Sequence, residues 1–256
     1  MLEMPSGLTE FTIYFLIFAS MVTSFITSAF GIGGGAILIG LLALKLPPFA
    51  LLPIHGIVQI GSNFGRTIIF LKEIKKDVLI PFSIGTILGS SLGGTFFIQI
   101  EPWVLQLVVA TFILWSVFGK IPAIGATHVI FGGMFSGFFT MFFGASGTLV
   151  AGMVKTMKLQ PTNHLATHSA LMTIQHLTKV IIFRFVGFAY AEYFLLITAM
   201  IISGFIETII GKKILVKFGQ KYFKLVLNSI LTLIAINLIW NAVIVSGYLI
   251  YFNSYV

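Results

Sequence analysis

Apolar stretches follow one another along this chain almost without polar interruption, and that pattern decides which solvent it folds in. Ten segments read as helices, at 11–30, 31–46, 48–71, 78–99, 103–119, 124–143, 144–159, 161–183, 190–210 and 225–249. Most of them hold enough residues to cross a ~30 Å hydrocarbon layer at about 1.5 Å per residue. Charged residues make up only 9% of the chain, against about 25% in a soluble domain. So little polar surface cannot cover a water-facing globule. The expectation is an all-α polytopic membrane protein, multi-pass in the cytoplasmic membrane.

Two of the ten segments are short, and each follows a glycine-rich break. The breaks are Gly31-Ile32-Gly33-Gly34-Gly35 and Gly144-Ala145-Ser146-Gly147, and the segments end before Pro47 and Pro161. They read either as short spans or as the return arms of re-entrant hairpins. The breaks also expose an internal repeat. Shifted by 113 residues, 21–70 aligns without a gap onto 134–183, pairing Gly31 with Gly144, Gly34 with Gly147, Lys45 with Lys158, Pro48 with Pro161 and His55 with His168. Shared apolar composition gives chance Leu, Ile and Phe matches, but not Lys, Pro, His and two Gly in one register. The chain therefore divides into membrane repeats at 1–120 and 121–256 within one integral-membrane domain.

Loop charges bear on how the repeats sit. Lys72, Lys75 and Lys76, then Lys120, then Lys212, Lys213, Lys217, Lys221 and Lys224 mark three cytoplasmic stretches. The Lys-free start, Met1 to Glu10, belongs outside, and without a basic n-region it does not resemble a cleaved signal peptide. These placements agree only if each repeat makes an odd number of crossings. The fold then reads as two inverted repeats of about five helical segments, with the glycine-broken helices near the pseudo-symmetry axis. Lys45, near the outer face, fits this scheme least well. The net charge of +8 is thereby spent on orientation, and no nucleic-acid partner is expected. No Cys is present, which rules out disulfides and thiolate metal sites.

Polar residues in hydrocarbon are costly, so their placement is informative. The third segment carries His55, Gln59, Ser62, Asn63 and Arg66 within about a 100° arc of one face. The matching eighth segment carries His164, His168, Gln175, His176 and Lys179, again on one face. In shared register, Arg66 pairs with Lys179. Both cations lie near a segment end, where long basic side chains also reach the membrane surface. The acids inside or near segments are Glu207 and Glu192. Cations, histidines and few acids suit an anion. So do the N–H groups that a helix starting after Gly31–Gly35 leaves without backbone partners. Gly33, Gly34, Gly35, Ser146 and Gly147 are accordingly binding candidates. By contrast, Gly85, Gly89, Gly93 and Gly94, and Gly132/Ser136 with Gly133/Gly137, have the spacing of close helix contacts.

The glycine breaks, the Leu46-Pro47-Pro48 and Leu159-Gln160-Pro161 turns, Ala166-Thr167-His168 and the two-copy layout resemble the sulfite exporter TauE/SafE family, also called TSUP transporters. The resemblance covers nearly the whole chain. Departures are Ser146, where the pattern often has Gly, and Pro53-Ile54-His55, where a small residue plus Thr is common. The resemblance implies a transporter of sulfite or a small organosulfonate and adds Thr167 to the candidates.

The expected function is a secondary transporter with a central site between inverted repeats, working by alternating access. Gln59, Ser62, Asn63, Gln175 and His176 replace water around the anion, and Arg66 and Lys179 attract it from opposite faces. His55, His168 and His176 motivate proton coupling. An anion channel on the same scaffold is the alternative. An intramembrane enzyme is the less favoured reading, because no paired carboxylates and no Ser/His/Asp set lie at workable depth. His164 and His168, spaced i,i+4, lack the Cys or acid that would make a metal site, so neither metal nor cofactor is expected. The expected partners are a small anionic substrate and the lipid bilayer, with a homodimer left open.

Overall fold

A computed structural model describes residues 8–30, 33–97, 100–119, 124–144, 146–211 and 220–253, with backbone alone for 29–30, 126, 206–211, 220–224 and 247–253. Lys120, Lys212, Lys213 and Lys217, on which part of the sequence reading rests, lie outside the described residues, as do the side chains of Lys221, Lys224 and Glu207.

Ten α-helices and a few 3-10 turns make up the described chain, with no strand among the described residues. They are α1 (Glu10–Phe30), α2 (Gly34–Ala43), α3 (Pro48–Ile69), α4 (Leu79–Phe97), α5 (Pro102–Phe118), α6 (Val129–Phe143), α7 (Gly147–Thr156), α8 (Pro161–Phe185), α9 (Phe194–Gly211) and α10 (Gln220–Asn253). Each of the ten expected segments corresponds to one of them. Proline opens α3, α5 and α8, where its missing N–H costs nothing and its fixed φ suits the first turn.

The outer face of the molecule is apolar, and a band of polar and charged side chains is buried. Phe18, Ile84, Leu88, Leu92 and Ile236 are exposed, whereas Arg66, Lys179, His55, His176 and Gln175 are buried. Lipid, not water, is the solvent that matches such an outer face, and this is an all-α polytopic membrane protein. On length and composition alone, three described helical stretches suffice to cross a bilayer: Glu10–Ser28, Lys76–Phe97 and Leu225–Ser246. The 22 residues of α3 and the 25 of α8 have the length but carry the polar stripes. Such stripes are tolerated at depth only where other helices cover them.

Each short segment runs back along the helix before it. With 10 residues, α2 is about 15 Å long, half the hydrocarbon layer. It starts against the middle of α1, where a methyl on Gly34 would overlap the Thr23 carbonyl. It then runs back, until Lys45 Nζ lies 5.7 Å over the Phe15 ring. The α7 helix returns along α6 in the same manner: Gly132 faces Met153, and the Thr156 hydroxyl reaches the Ile124 carbonyl at 3.4 Å. The chain reverses at Gly33 (φ 103) and Gly144 (φ 70), a left-handed region that disfavours any Cβ.

The hairpins and their neighbours interlock with helices from distant parts of the chain. At one end of the α3/α8 crossing the Thr67 and Thr173 hydroxyls are 3.2 Å apart, and toward the other Lys179 reaches His55, so the two helices run antiparallel. In parallel with α6, α4 makes backbone-close contacts of Gly85 with Ile130 and Gly89 with Met134, and Ser90 Oγ donates to the Gly137 carbonyl at 3.0 Å. The spacing of small residues had marked this contact. Ser20 Oγ of α1 donates to the Met200 carbonyl of α9 at 2.8 Å, and α5 packs on α10. The main apolar core, including Leu38, Ile39, Leu52, Ile54, Ile113 and Leu238, fills the space among α2, α3, α5 and α10.

Candidate functional site

The start of α2 and the start of α7 meet beside the α3/α8 crossing and enclose a cavity of about 50 Å³. A buried water needs about 10–15 Å³ on this measure, so the space holds a few waters or one small anion. Its wall is made by Gly33, Gly35, His55, Gln59, Asn63, Arg66, Gly147, His168 and His176, with Thr27, Ala36, Gly144, Thr148 and Met172. A larger depression of about 460 Å³ lies at the far end of α2, around Lys45, Gln106 and Asn241. It is remote from both polar stripes and from the buried cations.

Each hairpin presents donors. Gly33 O takes the N–H groups of Ala36 and Ile37, and Ser146 O takes those of Leu149 and Val150. The N–H groups of Gly34, Gly35, Gly147 and Thr148 have no earlier helical carbonyl to bond. Each hairpin is also pinned by a histidine. His55 Nε2–H donates to the Gly35 carbonyl at 3.1 Å, and His168 Nε2–H donates to the Gly147 carbonyl at 3.0 Å. A carbonyl only accepts, so this bond sets the tautomer of each ring. The His55 Nδ1 lone pair is thereby free to accept from the Lys179 ammonium at 3.4 Å. Gln59 Nε2 lies 3.4 Å from the same His55 Nε2. That nitrogen has no lone pair left for it, so the amide hydrogens remain available to the cavity.

Arg66 supplies the charge. It is 3% exposed and Lys179 is 0% exposed, so neither side chain reaches the membrane surface. Arg66 donates to Ser62 Oγ and Asn63 Oδ1 at 3.0 Å and to Ser28 Oγ at 3.5 Å. All three acceptors are neutral, and three of its five N–H groups are used. Among the described residues, the one ion pair joins Lys75 to Asp77, far from the site.

The structure does not gather all the expected residues. Lys179 backs onto His55 instead of lining the cavity opposite Arg66, because Gly56 leaves a gap that its Cε occupies. In the repeat register Ser169 stands where Gly56 does, so no equivalent gap receives Arg66. Ser62 holds Arg66 from behind. Ser146 Oγ donates to Gln175 Oε1 at 3.0 Å, which braces the start of α7 without lining the cavity. Gly34 packs on α1. The Thr167 hydroxyl accepts the Lys75 backbone N–H at 3.0 Å and clamps the loop between α3 and α4, away from the cavity. His164 is half-buried and stacks on His168 with ring centroids 6.5 Å apart.

Reading from sequence missed Thr27, Ser28, Thr148 and Met172. Thr27 was visible as an identity with Thr140 in the repeat. Thr148 and Met172 were hidden because they replace Gly35 and Gln59 in the repeat register, and alignment rewards identity.

A helical bundle that is apolar outside, with two short hairpins closing on a buried cavity lined by Arg66 and three histidines, defines an integral membrane protein with a polar interior. The chain matches the family described as Sulfite exporter TauE/SafE over residues 16–238. It belongs to that family and is a membrane transporter. Neither the curated proteins nor the solved structures compared with it gave a match.

Proposed function

We propose that this protein is a secondary transporter that carries a small sulfur oxyanion, of the sulfite or organosulfonate class, through the cavity between α2, α3, α7 and α8. The observation that carries the reading is Arg66: a guanidinium buried against the cavity, held by three neutral acceptors. Burying a charge without a counter-charge is costly, and an anion in the cavity supplies what is missing. The first N–H groups of two helix starts favour the same sign of ligand. The family match favours sulfur chemistry.

The proposed mechanism is alternating access. In it, 1–120 and 121–256 act as inverted repeats that rock about the α3/α8 crossing, in the cytoplasmic membrane. Lys72, Lys75 and Lys76 would face the cytoplasm and the start of α1 the outside. The antiparallel α3/α8 pair and the matching hairpins are what this symmetry requires. His55, His168 and His176 line the cavity and are the groups through which a proton would be coupled. The site's chemistry is binding, and no enzymatic step is assigned to it.

Uptake into liposomes tests the reading. The expected result is saturable, concentrative sulfite transport that Arg66→Met abolishes while the variant still purifies as a monodisperse protein. Transport that neither saturates nor concentrates its solute would favour a channel. Unchanged kinetics in Arg66→Met would overturn the role given to Arg66.

A further inference from the structure

The two half-sites share a layout, a ten-residue helix whose first turn is held by a histidine of the polar-stripe helix, but not their side chains. In the first repeat Gly35 is bare, and Gln59 fills the space above it so closely that a methyl on Gly35 would overlap the Gln59 amide. In the same register the second repeat has Thr148 for Gly35 and Met172 for Gln59. All four line the cavity. The long polar group on α3 over a glycine on α2 is thus exchanged for a short hydroxyl on α7 under a thioether on α8.

The second half-site is also where polar atoms lack partners. The Thr148 hydroxyl and His176 Nδ1 are buried with no hydrogen bond, and both residues line the cavity; His176 is 1% exposed. One layer behind, Gln175 Nε2 is likewise unpaired. Native interiors rarely leave such groups unsatisfied without a ligand or water to serve them. Beside them, the N–H groups of Gly147 and Thr148 have no backbone partner among the described residues. Donors therefore cluster at the start of α7, and Met172 alongside offers none.

We propose that Thr148 and Met172 determine specificity: the Thr148 hydroxyl, with His176 and the first turn of α7, takes the oxygens of the substrate, and Met172 packs against a face that carries no oxygen. Sulfite has such a face at the sulfur lone pair, and a short alkylsulfonate has one at its methyl. Sulfate has four oxygens and would turn one of them toward the thioether, where nothing replaces its lost water. The inference rests on the transporter reading above and deepens it.

Binding to the purified, detergent-solubilised full chain, measured by calorimetry with sulfite, methanesulfonate and sulfate, tests the inference. The wild type is expected to bind sulfite and methanesulfonate at least about tenfold more tightly than sulfate. Thr148→Val, which keeps the shape and removes the hydroxyl, should weaken sulfite binding by about tenfold, as for a lost hydrogen bond to a charged ligand. Thr148→Ser should restore it. Met172→Gln should narrow the preference against sulfate without loss of thermal stability. Equal wild-type binding of sulfite and sulfate, or unaltered sulfite affinity in Thr148→Val, overturns the proposal. Absence of wild-type binding to all three anions would instead sink the sulfur-oxyanion reading itself.

Discussion

A guanidinium surrounded only by hydroxyl and amide oxygens keeps its full charge and its need for an anion. On the proposed reading Arg66 binds the anion, and this separates the effects of two substitutions. Arg66→Met should lose anion binding by roughly tenfold to a hundredfold, the size of one charge-assisted hydrogen bond. Titration with sulfite should detect this, and a fully active Arg66→Met would refute it. Lys179 is different, because its ammonium is held one layer back by His55 Nδ1. Replacing His55 by Phe removes that acceptor and leaves a buried donor unpaired, which costs about 1–3 kcal/mol. The double variant His55→Phe/Lys179→Met should recover most of the lost thermal stability, since it removes the unpaired donor as well. If the double variant melts below the single one, the two side chains are not coupled in this way. Both polar stripes were legible in the sequence, because hydrocarbon makes every polar residue conspicuous. Which residue faces the cavity was not legible. Gly56 decides where Lys179 goes, and a missing side chain leaves no periodic signal.

The elements that build the site are short helices whose strength lies in close packing. Backbone meets backbone where α2 starts against α1, and a methyl on Gly34 would overlap the Thr23 carbonyl. Gly34→Ala should therefore push the hairpin open, with a cost of about 1–3 kcal/mol typical of overpacking, and transport should fall with it. Gly89→Leu, on the α4/α6 contact, should lower the melting temperature by at least as much, because the added side chain meets the Met134 carbonyl on the facing helix. It leaves the cavity wall untouched. A thermal-shift assay with and without sulfite checks the distinction: ligand should still stabilise Gly89→Leu but protect Gly34→Ala poorly. Equal protection of both would place Gly34 outside the binding hairpin's mechanics. The ten segments could be read from hydropathy and proline. Whether the short ones cross the membrane or return could not, because length alone permits a half-span in either role. The contact of Lys45 with Phe15 shows that α2 runs back along α1.

At the scale of the molecule, every major helix pair other than the hairpins themselves joins one half of the chain to the other. A movement of the halves must therefore slide or open the α3/α8, α4/α6, α1/α9 or α5/α10 contacts. The α3/α8 crossing is pinned near the cavity by Lys179 and His55, and at the end near the Lys75 loop by the hydroxyls of Thr67 and Thr173, 3.2 Å apart. If access alternates by rocking about this crossing, the Thr67/Thr173 end must separate when the cavity opens on that side. The chain contains no cysteine, so Thr67→Cys/Thr173→Cys can be made in a clean background. Oxidation should link the pair, since hydroxyl oxygens this close place the two β-carbons near disulfide reach. The linked protein should bind sulfite but fail to carry it across a liposome membrane, and reduction should restore carriage. Each single-cysteine variant should be unaffected by oxidant, which isolates the cross-link from the substitutions. A linked protein that transports at the reduced rate would mean that this end of the crossing stays closed throughout the cycle. The moving contact would then have to be sought at α1/α9 or α4/α6.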